Sequence, residues 1–259
     1  MTPAERKAGA QAMLEAWRAV VPCVQLTTTY PDMTIEDAYA IQSDVIAARI
    51  AEGRKVRGHK IGLASKAMQA ASNVHEPDYG VLLDDMFYND GETLDASRFI
   101  VPRIEVELAF ILGAPLKGPG VTLPDVLRAT EFVVPALEII DGRSKYPRKI
   151  QDNIADNAAC GGIITGGRPM RPFDIDMRWA AAICSKNGVV EETGVAAGVL
   201  GHPGMGIVWL ANKLAAFGVG LQAGHFFLAG SFTRPVAVKK GDTIHVDYGK
   251  LGGIAVNFA

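Results

Sequence analysis

The sequence predicts an α+β protein, with a small helical N-terminal part followed by a β-rich body, sandwich-like or barrel-like, into which further helices are inserted. Two observations carry this expectation. Up to Gly53 the apolar residues recur at helical spacing. Beyond Gly53 the texture changes to short apolar runs separated by Gly, Pro and Asp, such as Ile61-Gly62-Leu63, Val81-Leu82-Leu83, Phe226-Phe227-Leu228, Ile244-His245-Val246 and Ile254-Ala255-Val256.

The first predicted helix covers residues 3–20, with Thr2 as its cap and Pro3 at the first helical position. The second begins after Thr34, where Thr34-Ile35-Glu36-Asp37 resembles a capping box with Asp in the last place. Ala38, Ile41, Val45 and Ala48 give it one apolar face, and Gly53 ends it. Within the β-rich body, helices are expected at residues 123–130, 174–185 and 205–217; in the last, Ile207, Leu210, Leu214 and Phe217 form a core stripe. There is no internal repeat and no low-complexity linker, and we divide the chain into a helical cap part, 1–75, and a β-rich catalytic part, 76–259.

Composition removes several function classes. With 26 Lys and Arg against 28 Asp and Glu, interspersed along 259 residues, there is no electrostatic footprint for nucleic acid. No apolar run approaches the roughly 20 residues that a membrane-spanning helix needs. The N-terminus is charged and runs into a helix, unlike a secretory signal, so the expected location is cytoplasmic. Cys23, Cys160 and Cys184 are odd in number and far apart, which argues against a disulfide framework and a thiolate zinc site. The histidines lack metal spacing, and Gly201-His202-Pro203-Gly204-Met205-Gly206 matches no nucleotide-binding loop.

The most informative residues are three glutamates. Glu105 and Glu107 lie in the strand-like run Arg103-Ile104-Glu105-Val106-Glu107-Leu108-Ala109-Phe110, where side chains at i and i+2 share a face. A Glu-x-Glu on a strand is usually a solvated face. Glu138 argues otherwise, because Val133-Val134-Pro135-Ala136-Leu137-Glu138-Ile139-Ile140 is apolar on both sides of it, as in a strand buried on both faces. Buried carboxylates need partners, and three of them suit a hard divalent cation with oxygen ligands.

Other candidates are weaker when taken alone. Lys60 lies between glycines in Gly58-His59-Lys60-Ile61-Gly62; most lysines are solvated, but an amine buried near a metal has its pKa lowered and suits proton transfer. Asp78, in His75-Glu76-Pro77-Asp78-Tyr79-Gly80, reads by default as a turn residue. His75 and Glu76 make a poor water-activating dyad, since neighbours in extended chain point to opposite sides. Asp156-Asn157 reads as a turn or a substrate contact, and hydroxyls and backbone N–H groups of Gly230-Ser231-Phe232-Thr233, chiefly Ser231 and Thr233, suit a carboxylate.

At these residues the chain resembles the fumarylacetoacetate hydrolase superfamily, and within it the hydratase/decarboxylase branch. The likeness runs over residues 58–65, 76–85, 102–110, 135–143, 155–159, 191–203 and 230–235. The runs at 60–69 and 76–86 are similar to those of hydratases acting on 2-oxohept-4-ene-1,7-dioate. The resemblance implies a mixed β-sheet roll, magnesium or manganese on Glu105, Glu107 and Glu138, a lysine acid/base at Lys60 and an acid at Asp78. It further implies a small-molecule 2-oxo acid substrate, hydration as the reaction, assembly into homo-oligomers and docking onto a pathway enzyme. Decarboxylation of 4-oxalocrotonate and hydration of 2-hydroxypenta-2,4-dienoate are the alternatives. Residues 141–149 form a shorter segment than the branch leads one to expect, which bears on substrate length; there Arg143, Arg148 and Lys149 are candidate partners for a second carboxylate.

Overall fold

The computed structural model describes residues 1–259. In α1 (Pro3–Ala19), Thr2 accepts from the Glu5 amide while Glu5 accepts from the Thr2 amide, and Pro3 occupies the first position. A short α2 (Leu26–Thr29) leads to α3 (Ile35–Ala51), which opens in the same way, with Thr34 and Asp37 exchanging side-chain-to-backbone bonds. The chain continues through β1 (Val56–Gly62), α4 (Lys66–Ala71), β2 (Asp78–Leu83), β3 (Phe87–Asn89), β4 (Thr93–Leu94) and β5 (Arg103–Leu112). Next come α5 (Leu123–Ala129), β6 (Thr130–Ile140), α6 (Ile150–Ala155), β7 (Cys160–Thr165), β8 (Ala181–Lys186) and β9 (Val189–Val195). The last elements are α7 (Gly204–Ala215), β10 (Phe226–Leu228), β11 (Val236–Ala237), β12 (Thr243–Asp247) and β13 (Gly253–Phe258).

The strands form two sheets. The larger has the order β2-β1-β10-β5-β6-β7-β3, with β11 pairing the start of β5; the smaller has the order β4-β13-β12-β8-β9. Parallel and antiparallel pairs mix in both. Ile104, Val106, Leu108 and Phe110 of β5 share one core with Ile244, Val246, Val256 and Phe258 of the smaller sheet. The alternate residues of β5 face the opposite side, where Ala109 joins Val134 and Ala136 of β6 in a second cluster. Period-two alternation therefore turns Arg103, Glu105 and Glu107 away from the main core as a set.

The helical start packs as a third cluster: Met13, Leu14, Ile41 and Val45 meet Ile154 and Ala155 of α6. β1 is an inner strand of the larger sheet, and the wholly helical part of the chain ends with α3. The helix expected at 174–185 is not formed. A 3-10 turn at Met177–Trp179 leads into β8, in which Ala182 and Cys184 are buried while Ala181 and Ile183 are exposed. Pairing with β12 and β9 overrides the helical preference of the alanine run. No helix is long and apolar enough to cross a membrane.

Phe110 is fully buried in a central strand of the larger sheet. Phe110→Ala is expected to cost about 3–5 kcal/mol in unfolding free energy, read from the midpoint of a urea titration at unchanged slope.

Candidate metal centre and active-site cleft

The β5–β6 register sets Glu105 directly opposite Glu138 and Glu107 opposite Ala136. One carboxylate oxygen from each of Glu105, Glu107 and Glu138 lies within 4.8 Å of the others. Glu107 and Glu138 are fully buried. Glu107 Oε2 accepts from the Gly230 amide at 2.7 Å. Glu107 Oε1 and Glu138 Oε2 have no hydrogen-bond donor, and Glu138 Oε1 meets the Lys60 ammonium at 3.2 Å. Buried acceptors left without donors fit a cation that takes oxygen ligands.

The electrostatics agree. Burial, reinforced by the Glu138 and Glu105 charges, pushes the Glu107 carboxyl well above the ordinary range. Burial also raises Glu105, against the pull of Lys60. Glu138 is raised to about 8 by burial, with Lys60 opposing and Glu105 adding to the shift. Burial alone would lower the Lys60 amine, but the Glu138, Asp78 and Glu105 carboxylates outweigh it and hold Lys60 above its usual value. An amine lowered by a nearby metal is the sequence expectation; the surrounding carboxylates, taken by themselves, produce the opposite shift.

Lys60 and Asp78 are brought together by β1 and β2, where Gly62 pairs with Asp78 and Lys60 with Gly80. A Cβ on Gly62 would lie 2.1 Å from Asp78 Oδ1 and 3.2 Å from Lys60 Nζ, so only glycine leaves room for both groups. A Cβ on Gly80 would meet the Asn157 carbonyl at 2.4 Å. Asn157 bonds the Val81 amide and carbonyl, and residues 157–159 all have positive φ, which bends the chain beneath the site. Asn153 donates to Asp78 Oδ2 at 2.8 Å and leaves Oδ1 free. Burial raises the Asp78 carboxyl, with Lys60 and Asn153 holding it back.

These groups open onto a cleft of about 480 Å³ lined by Lys60, Asp78, Glu105, Arg103, Tyr146, Arg148, Ser231 and Thr233, among others. Ser231 Oγ donates to main-chain carbonyls, and Thr233 Oγ1 is buried with no partner.

Comparison with known proteins places this geometry. No family model matches the chain. Over 240 residues, covering 90% of this chain and 90% of the relative, it is 58% identical to 2-oxo-hept-4-ene-1,7-dioate hydratase of Escherichia coli. Among solved structures it superposes with a TM-score of 0.97 on 4-oxalocrotonate decarboxylase from Pseudomonas putida G7, complexed with magnesium and adipate. That match is 38% identical and covers 100% of this chain and 99% of the other. This chain belongs to the hydratase/decarboxylase branch of the fumarylacetoacetate hydrolase superfamily. The fold is shared more widely: a fumarylacetoacetate hydrolase family protein from Yersinia pestis CO92 gives a TM-score of 0.58 at 14% identity, over 78% of this chain and 92% of that one.

Within this member of the branch, two sequence candidates lie elsewhere. Arg143 and Asp156 do not line the cleft; they form a buried ion pair at 2.9 Å, and Arg143 also donates to the Cys160 carbonyl and stacks 3.8 Å from the Trp17 ring centroid. A charge committed in this way has no face left for a substrate. Lys149 is likewise outside the lining, whereas Arg148 is part of it but is tied to Asp156. Glu76 is held by Lys213 and Trp209 on the surface, so no dyad with His75 forms. Sequence reasoning missed Asn153, which no local signal marks, and Arg103, whose place two residues before Glu105 in an alternating strand was a usable sign.

Gly62→Ala is expected to displace Asp78 and lower turnover about 100-fold, the size of effect that a misplacement near 1 Å produces, with little change in melting temperature. Turnover within twofold of the parent would mean that the close approach has no role.

Proposed function

We propose that this protein is a hydro-lyase that adds water to a 2-oxo-alkenoate, converting 2-oxohept-4-ene-1,7-dioate to 4-hydroxy-2-oxoheptane-1,7-dioate, with a divalent cation, magnesium or manganese, held by Glu105, Glu107 and Glu138. The observation that carries the reading is the convergence of these three carboxylates beside a buried lysine, in a chain 58% identical to the E. coli hydratase. When bound, the cation supplies a Lewis acid for the carboxylate and C2 oxygen of the substrate.

The chain's own groups account for the proton movements. With the charge of the glutamates neutralised by the cation, Lys60, which lines the cleft, would be free to lose its proton; it then takes a proton from C3 and returns it at C5, which brings the double bond into conjugation with the ketone. Asp78, with Oδ1 free and Oδ2 fixed by Asn153, orients a water toward C4 and accepts its proton as the C–O bond forms. Reprotonation at C3 completes the addition of one water. Ser231 and Thr233 also line the cleft and are assigned in this reading to the C1 carboxylate of the substrate. Homo-oligomeric assembly belongs to the same reading: Phe173 and Trp179 are 71% and 70% exposed, and Val189 and Val190 of the edge strand β9, beyond β8 in the chain, are exposed as well.

A second reading, decarboxylation of 4-oxalocrotonate, is favoured by the TM-score of 0.97 to that decarboxylase, although the 38% identity lies well below the 58% to the hydratase. Incubation with magnesium and each substrate separates them: CO₂ release without hydration of the enoate would replace the first reading.

Two outcomes follow from the carboxylate assignment. Magnesium at about 100 times its dissociation constant should stabilise the protein by about 2.7 kcal/mol, read as a rise in melting temperature that EDTA reverses. Glu107→Gln should abolish both that rise and turnover with magnesium present, without lowering the melting temperature in EDTA, because Gln keeps an acceptor for the Gly230 amide and cannot ionise; full activity would discard the ligand assignment.

A further inference from the structure

Four cationic side chains line the cleft: Lys60, Arg103, Arg148 and Arg234. Three are neutralised within the chain. Lys60 pairs with Glu138 at 3.2 Å, Arg148 with Asp156 at 2.9 Å and Arg234 with Glu192 at 2.8 Å. Arg103 has no carboxylate within ion-pair distance and no side-chain hydrogen bond, and its Nε is buried without a partner. A guanidinium left in this state inside a cleft calls for an anion.

Its position says which anion. Arg103 shares the face of β5 with Glu105 and Glu107, its Cα roughly 7 Å from that of Glu105 along the strand. Its guanidinium lies 5.5 Å from the Tyr146 ring centroid, and Arg148 lies 4.6 Å from the same ring. The Tyr146 hydroxyl accepts from Arg148 at 3.0 Å, so its own proton is free to donate. Six carbon–carbon bonds in extended chain span about 7.5 Å, comparable with that strand separation, so a seven-carbon acid anchored by C1 at the glutamates is long enough for its other end to reach Arg103 in the same cleft.

We propose that Arg103, assisted by the Tyr146 hydroxyl, receives the distal carboxylate of the substrate and so sets a preference for 2-oxo acids that end in a second carboxylate. This inference rests on the function proposed above for its view of the C1 anchor. The 141–149 segment does not supply the guanidinium: its Arg143 and Arg148 are committed to Asp156, and it contributes Tyr146. A charge-assisted, two-donor grip of this kind is worth about 10- to 100-fold in affinity.

The test uses a matched pair of unreactive ligands, 2-oxoheptane-1,7-dioate and 2-oxoheptanoate, titrated calorimetrically into the full chain with magnesium. The parent protein should bind the dioate about 10- to 100-fold more tightly. Arg103→Gln should erase that ratio, Arg103→Lys should recover part of it, and Tyr146→Phe, an exposed change that leaves the fold alone, should reduce it about threefold. With the unsaturated counterparts the change should appear mainly in KM, because the distal group is remote from the reacting carbons. A parent protein without the preference, a preference that survives in Arg103→Gln, or an equal loss for both ligands would overturn the assignment. Should the parent bind both ligands yet hydrate neither unsaturated acid, the proposed reaction fails while the binding ratio still decides the role of Arg103; if Arg103→Gln does not fold, Arg103→Lys and Tyr146→Phe decide it.

Discussion

Placing three carboxylates within 4.8 Å of one another on the buried face of a sheet sets the terms for everything around them. At an effective dielectric near 20, each pair of full charges at that separation repels by about 3–4 kcal/mol, so three pairs approach the whole stability of an ordinary domain. One ammonium, Lys60, offsets part of this, while burial, with neighbouring carboxylates adding to it, pushes the carboxyls of Glu105, Glu107 and Glu138 upward. A divalent cation resolves the same conflict without protons. The site is therefore costly to keep as it stands and is satisfied by binding, which is how a binding site differs from a structural ion-pair network.

The sheet makes this arrangement reproducible. Ile104, Val106, Leu108 and Phe110 lock one face of β5 into the main core, so the other face must carry Arg103, Glu105 and Glu107. A slip of one residue would bury glutamates among aliphatic side chains, and the register with β6 that sets Glu138 opposite Glu105 is fixed by that penalty. β10 lies between β5 and β1, and it delivers the Gly230 amide to Glu107 while holding β1, with Lys60, at the proper lateral distance. Gly62 and Gly80 then let side chain and backbone approach where any Cβ would intrude.

What the sequence made legible follows from the same physics. The glutamates stood out because an acidic residue inside an apolar strand is expensive, and the expense is visible without coordinates. Lys60 and Asp78 were picked out on weaker grounds; Asp78 looked like a turn residue and opens β2 instead. Asn153 could not be found, since its contact with Asp78 joins residues 75 positions apart through the docking of α6. Arg143 and Asp156 looked like exposed polar residues near a loop, and only the structure shows them sealed under Trp17 and Cys160. At residues 174–185 an alanine-rich run with good helical preference became a strand because partners on both sides supplied pairing that no local pattern announces.

The division of labour among the arginines gives the cleft its direction. Asp156 binds both Arg143 and Arg148, and the main chain of Arg143 and Lys145 bonds to Cys23, so the 141–149 segment is clamped between α6 and the turn after α1. A clamped segment can hold Tyr146 over the cleft without a substrate present to order it, and that lowers the entropic cost of binding. Its rigidity comes from spending its two buried arginines on one carboxylate. The cation left without a carboxylate partner, Arg103, stands on β5 in register with the glutamates, so its separation from them is set by strand geometry and not by a loop. On the role proposed for Arg103, selectivity for chain length is a property of the sheet, which changes less readily than the segment that covers it.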